Sequence, residues 1–434
     1  MKIYAIISIF LLNIIFVVAK DELLLVQTIF RHSERAPEFG FASPDASKIF
    51  YRGLGSLTND GLEQANKLGQ MLRNRYVNEA FLDARMLPEQ LHFRSSSRER
   101  CIETTIKVGL AMFSGIPVSV HTVPGHDDFM LFPHLDCSRL NREKKEKLNI
   151  SNELYDKWTQ KGKPILAILQ GIMERELKYA KYYKNSSENV LLVDSLIIEK
   201  NAGAQVPEWF DENAEREGRR AYFHGLNLIA GTGPYHNPNW IRPTSGLLLE
   251  ELTKHIKRKI ECDQTRNCKD MKKFYAYGTH DMLLMALLES IGAKDAALGE
   301  GQNPEFIATL ILELWKRNGK YYIKAVFRRY PNSNRFFAIT QSITGCSKVS
   351  DFCSSDTFIG GFQQYKTTHP KDECHDESDN PIGLLFSGRT DFKFNALSWI
   401  LLGTTVFFMF CCICHACLPR RKYRKYSTKS NSRI

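Results

Sequence analysis

Leu23-Leu24-Leu25-Val26-Gln27-Thr28-Ile29-Phe30-Arg31-His32-Ser33-Glu34-Arg35-Ala36-Pro37 is an apolar run that stops in a cluster of charge. Residues 23–30 are mostly large and apolar, without strict alternation. That pattern suits a strand buried on both faces, as in a sheet covered by helices. Arg31, His32 and Arg35 fall just past the carboxyl end of this strand. In open α/β sheets that edge is where ligands bind.

Two more strand–helix units repeat the arrangement. Residues 91–94 read as a strand and 97–112 as the helix after it; residues 273–278 and 281–291 form the next such pair. Between the first and second strands, Thr58 can cap a helix carrying Leu62, Ala65, Leu68, Gly69, Leu72 and Tyr76 on one face. Strands alternating with helices predict an α/β fold with a mainly parallel central sheet and helices on both faces. Asn318-Gly319 lies between the strand-like runs 306–315 and 321–330, a hairpin signal that adds an antiparallel edge. Residues 138–255 are patterned as helices and read as a mostly helical subdomain inserted between strands.

The two ends carry different signals. Residues 1–19 have Lys2, an apolar stretch and the small residues of Val17-Val18-Ala19, the pattern of a secretory signal peptide. Residues 396–417 hold no Asp, Glu, Lys or Arg and are long enough for a bilayer. The basic cluster Arg420, Arg421, Lys422, Arg424 and Lys425 follows, as the positive-inside rule expects on the cytosolic side. The expected organisation is a signal peptide (1–19), one catalytic domain (20–375), a stalk (376–395), a C-terminal transmembrane helix (396–417) and a basic cytoplasmic tail (418–434). That makes a single-pass type I membrane protein of the lysosomal or plasma membrane, joined to the membrane by one helix. The formal net charge is +11, and the tail supplies seven of its positive charges with no acid. The basic balance therefore does not imply nucleic-acid binding.

Eleven cysteines are present, of which Cys411, Cys412, Cys414 and Cys417 fall in or beside the expected span. Cys101, Cys137, Cys262, Cys268, Cys346, Cys353 and Cys374 remain for an oxidising compartment, where six can pair. Cys262 and Cys268 are close enough for a short local loop, as are Cys346 and Cys353. Cys101 falls inside a predicted helix and is the candidate for a buried free thiol. Asn149-Ile150-Ser151 and Asn185-Ser186-Ser187 are glycosylation acceptors suited to the same compartment.

Three predicted strand ends carry Arg31-His32 with Arg35, Arg94, and His280-Asp281. One pocket collecting these residues suits phosphoryl transfer. Guanidinium forks neutralise phosphate oxygens, a neutral imidazole can attack phosphorus, and a protonated carboxylic acid can give the leaving alkoxide its proton. Fixed positive charge can stabilise the transition state, so no metal or other cofactor is called for. His126, Asp127 and Asp128 fit either the mouth of the pocket or a solvated loop. The other histidines lack the close spacing of metal ligands, which argues against a metal-dependent hydrolase.

Arg31-His32-Ser33-Glu34-Arg35-Ala36-Pro37 resembles the Arg-His-Gly-x-Arg-x-Pro signature of the histidine acid phosphatases. Leu57-Thr58-Asn59-Asp60-Gly61-Leu62-Glu63-Gln64 looks like that family's Leu-Thr-x-x-Gly-x-x-Gln helix start. Phe93-Arg94-Ser95-Ser96 looks like its segment bearing a third arginine, and His280-Asp281 matches its second signature. Val120-His121-Thr122-Val123-Pro124 resembles the prostatic and lysosomal branch. The resemblance implies an acid phosphatase acting on phosphate monoesters, with His32 as the phosphorylated nucleophile. It assigns phosphate binding to Arg31, Arg35, Arg94 and His280, and proton donation to Asp281. It also implies Cys137–Cys374 and Cys346–Cys353 disulfides and a homodimer. Ser33 departs from the family's glycine, and Met282 from the small hydroxyl residue usual after His-Asp. Ser33 is the reason to weigh a pseudophosphatase acting as a cell-surface binding protein. A phytase-like or phospholipid-directed specificity would reside in the helical insertion.

Overall fold

The structure, a computed structural model, describes residues 21–132, 137–177, 192–268 and 271–374. Strand β1 (Glu22–Arg31) is central. On one side it pairs in parallel with β4 (Phe274–Thr279), which pairs in parallel with β2 (Leu91–Ser95) and through it with β3 (Val120–His121). On the other side it pairs antiparallel with β5 (Thr309–Arg317). A two-residue turn joins β5 to β6 (Lys320–Arg328), and β6 pairs with the short strands β7 (Phe337–Ala338) and β8 (Cys353–Ser354). Asn318 and Gly319 both have positive φ, +48° and +75°. That is the backbone a two-residue hairpin needs, and Asn-Gly adopts it at low cost.

Both sheet faces are covered, which explains the unbroken apolar run of β1. Val26 and Phe30 face helices α1 (Asn59–Leu72) and α2 (Glu99–Met112) among Ala65, Leu68, Val108 and Met112. Leu25 and Ile29 join the cluster of Leu248, Leu249, Leu252 and Leu284 on the other face. Burying each such side chain contributes about 1.5–3 kcal/mol. Gln27 is the polar residue on that second face. Its side chain donates to the Leu252 carbonyl at 3.0 Å and lies 3.0 Å from His255 Nδ1, so its burial leaves no unpaired amide.

The expected insertion is helical. It comprises α3 (Ser138–Leu148), α4 (Asn152–Gln160), α5 (Pro164–Glu176), α6 (Val193–Asn201), α7 (Glu212–Ala230) and α8 (Pro238–Thr265). Its core, with Ile168, Ile172, Ala221 and Leu228, also takes in Cys137 and Cys374. Helix α8 does double duty, because its Leu248, Leu252 and Ile256 pack on the sheet.

Two expectations need correction. The sheet is mixed rather than mainly parallel: β5 to β8 are all antiparallel, and β5 lies directly on β1 instead of at an edge. The two-residue strands β7 and β8 are too short to leave a periodic pattern, so the antiparallel half was underestimated. The membrane expectation is set aside as well. Among the described residues no helix is long and apolar enough to cross a membrane. The longest, α8, has 28 residues but carries Arg242, Glu250, Glu251, Lys254, Lys257 and Arg258, the pattern of a helix with one solvated face. The expected span at 396–417 lies outside the described residues, as do the signal peptide, the stalk and the basic tail. Single-pass topology, the membrane as a partner and a lysosomal or plasma-membrane location therefore gain no structural support and are not retained.

One close approach locks the loop after β1 to α1. Thr58 Oγ1 accepts from Gly61 N–H at 2.9 Å and donates to Glu34 Oε1 at 2.9 Å, and Gln64 Oε1 accepts from the Glu34 N–H at 3.1 Å. A β-carbon on Gly61 would stand 2.1 Å from the Glu34 carbonyl oxygen. Gly61→Ala is therefore expected to lower unfolding stability by about 1–3 kcal/mol, the range of core overpacking, and to reduce activity through the displaced loop. Urea denaturation checks it; an unchanged midpoint would mean that the loop yields freely.

Candidate active site

The backbone places His32 between three strand ends. Its N–H donates to the Thr279 carbonyl at the end of β4 (3.0 Å), and its carbonyl accepts from Ile307 N–H just before β5 (3.1 Å). The imidazole is 2% exposed. Its Nδ1 lies 2.9 Å from the Ser33 carbonyl oxygen. A carbonyl can only accept, so Nδ1 carries the proton and the neutral ring keeps its lone pair on Nε2. Burial, followed by the charges of Arg100, Arg31, His280 and Arg35, holds the pKa of His32 well below the ordinary imidazole value. The ring thus stays a free base into acidic solution.

His280 stands next to it, with ring centroids 5.7 Å apart in an edge-on arrangement. Its Nε2 is 2.9 Å from Ser96 Oγ and 3.6 Å from the thiol of Cys101, which is free and buried. Burial first, then Arg100, lowers its pKa too. Asp281 opens helix α9 (Asp281–Ser290), accepts from Met282 N–H at 2.8 Å and pairs with Arg31 at 2.8 Å. Burial pushes its carboxyl up, but Arg31, His280 and that N–H outweigh burial and hold it below the usual range.

Each arginine close to His32 is ion-paired. Arg31 also donates to the Pro304 carbonyl at 2.7 Å and lies over the Phe306 ring at 4.4 Å. Arg35 pairs with Asp194 of α6 at 3.0 Å, and Arg100 with Glu38 at 3.1 Å. The Nε–H groups of Arg31, Arg35 and Arg100 are buried without an acceptor. Such donors cost about 1–3 kcal/mol each, which an anionic oxygen among them would offset.

His32, Arg35, Arg100, His280 and Asp281 line one cavity of about 1020 Å³. Arg94 does not. It faces the same side of the sheet as Tyr277, donates to Asp128 Oδ1 at 2.7 Å and lies 3.6 Å from Met130 Sδ. Its Nε also lacks an acceptor. Asp128 is accordingly buried at the Arg94 pair, whereas His126 lines the cavity. Arg100 is the arginine that sequence reasoning missed. It sits in the first turn of α2, six residues after Arg94, and its charge is the largest electrostatic influence on both histidines. The Arg98-Glu99-Arg100 cluster at a helix start was the available signal. Asp194, Glu38 and Tyr222 were also missed, and no motif marks them. Among the described residues no group of three or more His, Cys, Asp or Glu side chains is arranged to hold a metal ion.

Ser33 does not reach into this cavity. Its N–H and hydroxyl meet Thr104 Oγ1 at 3.1 and 3.0 Å, and the Thr104 hydroxyl donates to the Arg100 carbonyl at 2.7 Å. The side chain that replaces the family glycine therefore ties the His32 loop to the helix bearing Arg100. Farther out, disulfides join Cys137 to Cys374, Cys262 to Cys268 and Cys346 to Cys353. Asn149 is exposed at the end of α3, and Asn185 lies outside the described residues.

The lowered pKa values make stability depend on pH. His32 and His280, with His92 (brought to about 4 by burial and then by His121), are less basic folded than unfolded. Their contribution is complete above the unfolded value of about 6.5 and is lost as pH falls through the folded values. Denaturant midpoints should fall between pH 7 and pH 5, above the carboxylate range, and His32→Asn should flatten that slope. Equal slopes in the two proteins would contradict the assignment.

Comparison with known proteins agrees with this geometry. The histidine phosphatase superfamily (branch 2) matches residues 51–328. A Caenorhabditis elegans protein named "Putative acid phosphatase 1" is 33% identical over 403 residues, 92% of each chain. Human prostatic acid phosphatase is 26% identical over 349 residues, 76% of this chain and 83% of its own. Among solved structures, Hafnia alvei phytase in complex with myo-inositol hexakis sulphate shares the fold at TM-score 0.56 and 15% identity, over 82% of this chain and 99% of that one. With its imidazole held as a free base among arginines, the chain belongs to the histidine phosphatase superfamily, branch 2.

Proposed function

We infer that this protein is an acid phosphatase that hydrolyses phosphate monoesters through a phosphohistidine on His32. The observation that carries the reading is the 2.9 Å contact of His32 Nδ1 with the Ser33 carbonyl, which takes the Nδ1 proton and leaves the Nε2 lone pair free in a cavity that Arg35 and Arg100 also line. The relatives named acid phosphatases support it.

The phosphate oxygens lie among Arg31, Arg35, Arg100 and His280, which stabilise the charge of the transferring group. Nε2 of His32 forms a bond to phosphorus as the bond to the leaving oxygen breaks. Asp281 gives that oxygen its proton. Water then attacks the phosphohistidine, Asp281 takes a proton from the water, and phosphate departs with the His32 ring restored. At rest Asp281 is a carboxylate paired with Arg31. A bound phosphate competes for Arg31 and brings its own negative charge, and both effects raise the Asp281 pKa. The same dianion favours protonation of His280, which then donates from both nitrogens.

The sign of the pH dependence follows. The alkaline limb is loss of the Asp281 proton in the substrate complex. The acid limb is protonation of His32, displaced downward by burial and positive charge. The optimum should therefore lie below neutrality, and a pH–rate maximum above pH 8 would contradict the scheme. With p-nitrophenyl phosphate, His32→Ala should abolish turnover. Asp281→Asn should lower kcat by about 10²–10⁴ and Arg100→Ala by about 10²–10³. Arg94→Ala should lose less than either. Turnover retained in His32→Ala would exclude the phosphohistidine. The alternative of a binding protein without activity rested on Ser33, and its hydroxyl, bonded to Thr104 outside the cavity, gives that alternative no support.

A further inference from the structure

The cavity around His32 is much larger than a phosphate group, and its walls differ. At about 1020 Å³ it is the size of a pocket for a whole small molecule. Helix α5 lines it with Ile165, Leu166 and Leu169, α7 with Leu226 and Ile229, and α9 with Met282. The first five are between 5% and 8% exposed, so each retains a small surface beside otherwise complete burial. The two helices are closely packed: a β-carbon on Gly225 of α7 would meet Leu169 Cδ1 at 2.6 Å. The wall is therefore a preformed apolar surface.

Charge decides what else it can hold. Away from His32 and its arginines, the charged side chains lining the cavity among the described residues are Arg98 and Lys163 against Glu38 and Glu99. Glu38 is occupied by Arg100, and Arg98 lies over the Phe132 ring at 5.2 Å. A second or third phosphate needs its own cationic partners to replace water, and with Glu38 taken by Arg100 the rest of the lining carries one net positive charge besides His126, less than the two charges a further phosphate dianion brings. An alkyl chain needs only apolar contact.

We propose that the site selects phosphate monoesters whose leaving group is a linear apolar chain, seated against Ile165, Leu166, Leu169, Leu226, Ile229 and Met282. This selectivity rests on the reading of the His32 cavity as a phosphatase site. The phosphate sits at His32, and the chain lies along α5 and α7. Removing each methylene from water against this wall increases kcat/KM by about two- to fourfold until the wall is filled.

The test is hydrolysis by the full-length protein of ethyl, butyl, hexyl and octyl phosphate below their micelle concentrations, with inositol hexakisphosphate as the polyanionic comparison. The expected result is a rise of at least about fiftyfold from ethyl to octyl phosphate. Leu166→Gln and Met282→Gln should each cut the octyl-to-ethyl ratio about tenfold. Turnover of ethyl phosphate with no dependence on chain length, or a preference for inositol hexakisphosphate, would overturn the proposal. Absence of turnover with every ester would instead fault the phosphatase reading. Calorimetric binding of ethyl- and octylphosphonate still decides the wall in that case: tighter octyl binding that weakens in Leu166→Gln upholds it, and equal affinities reject it.

Discussion

The hydrogen bond from His32 Nδ1 to the carbonyl of the next residue determines which nitrogen can act as a nucleophile. The bond is local, but its geometry depends on distant parts of the chain. The His32 N–H is held by Thr279 of β4 and its carbonyl by Ile307 before β5, residues about 250 and 275 positions away. The parallel register of β1 with β4, from Val26 opposite Phe274 to Arg31 opposite Thr279, brings His32 beside His280 and Asp281. A shift of one residue would turn every β1 side chain to the opposite face.

Around that imidazole the protein stores positive charge in paired form. Arg31 with Asp281, Arg35 with Asp194 and Arg100 with Glu38 keep buried guanidinium groups compensated. Unpaired buried charge would be strongly unfavourable. The three acids come from three places: α9, α6 in the insertion, and the loop after β1. The insertion therefore contributes to the electrostatics around His32 as well as lining the cavity with apolar side chains.

The motif residues of the first helix have a physical reason in the structure. Thr58, Gly61 and Gln64 all clasp Glu34, two residues past His32: the threonine and glutamine by hydrogen bonds, the glycine by lacking a side chain. Ser33 adds a connection on the opposite flank, through Thr104 to the backbone of Arg100. The nucleophile loop is thus fixed on both sides. The serine at position 33 is accommodated with its hydroxyl on a buried partner, Thr104.

The buried strand, the Thr58 cap, the Asn318-Gly319 turn, the strand ends bearing His32 and His280-Asp281, and the buried thiol of Cys101 were legible in the sequence. Each is a local signal, set by residue type and spacing within one turn, strand or helix. The mixed character of the sheet, the partners of each arginine and the presence of Arg100 at the cavity were decided only by tertiary structure. Arg94 is held by Asp128 and does not line the cavity, whereas Arg100, from the following helix, does. Local pattern determines which elements form and which groups stand at their ends. Which of those groups meet depends on strand register and helix packing, interactions that no single stretch of the chain contains.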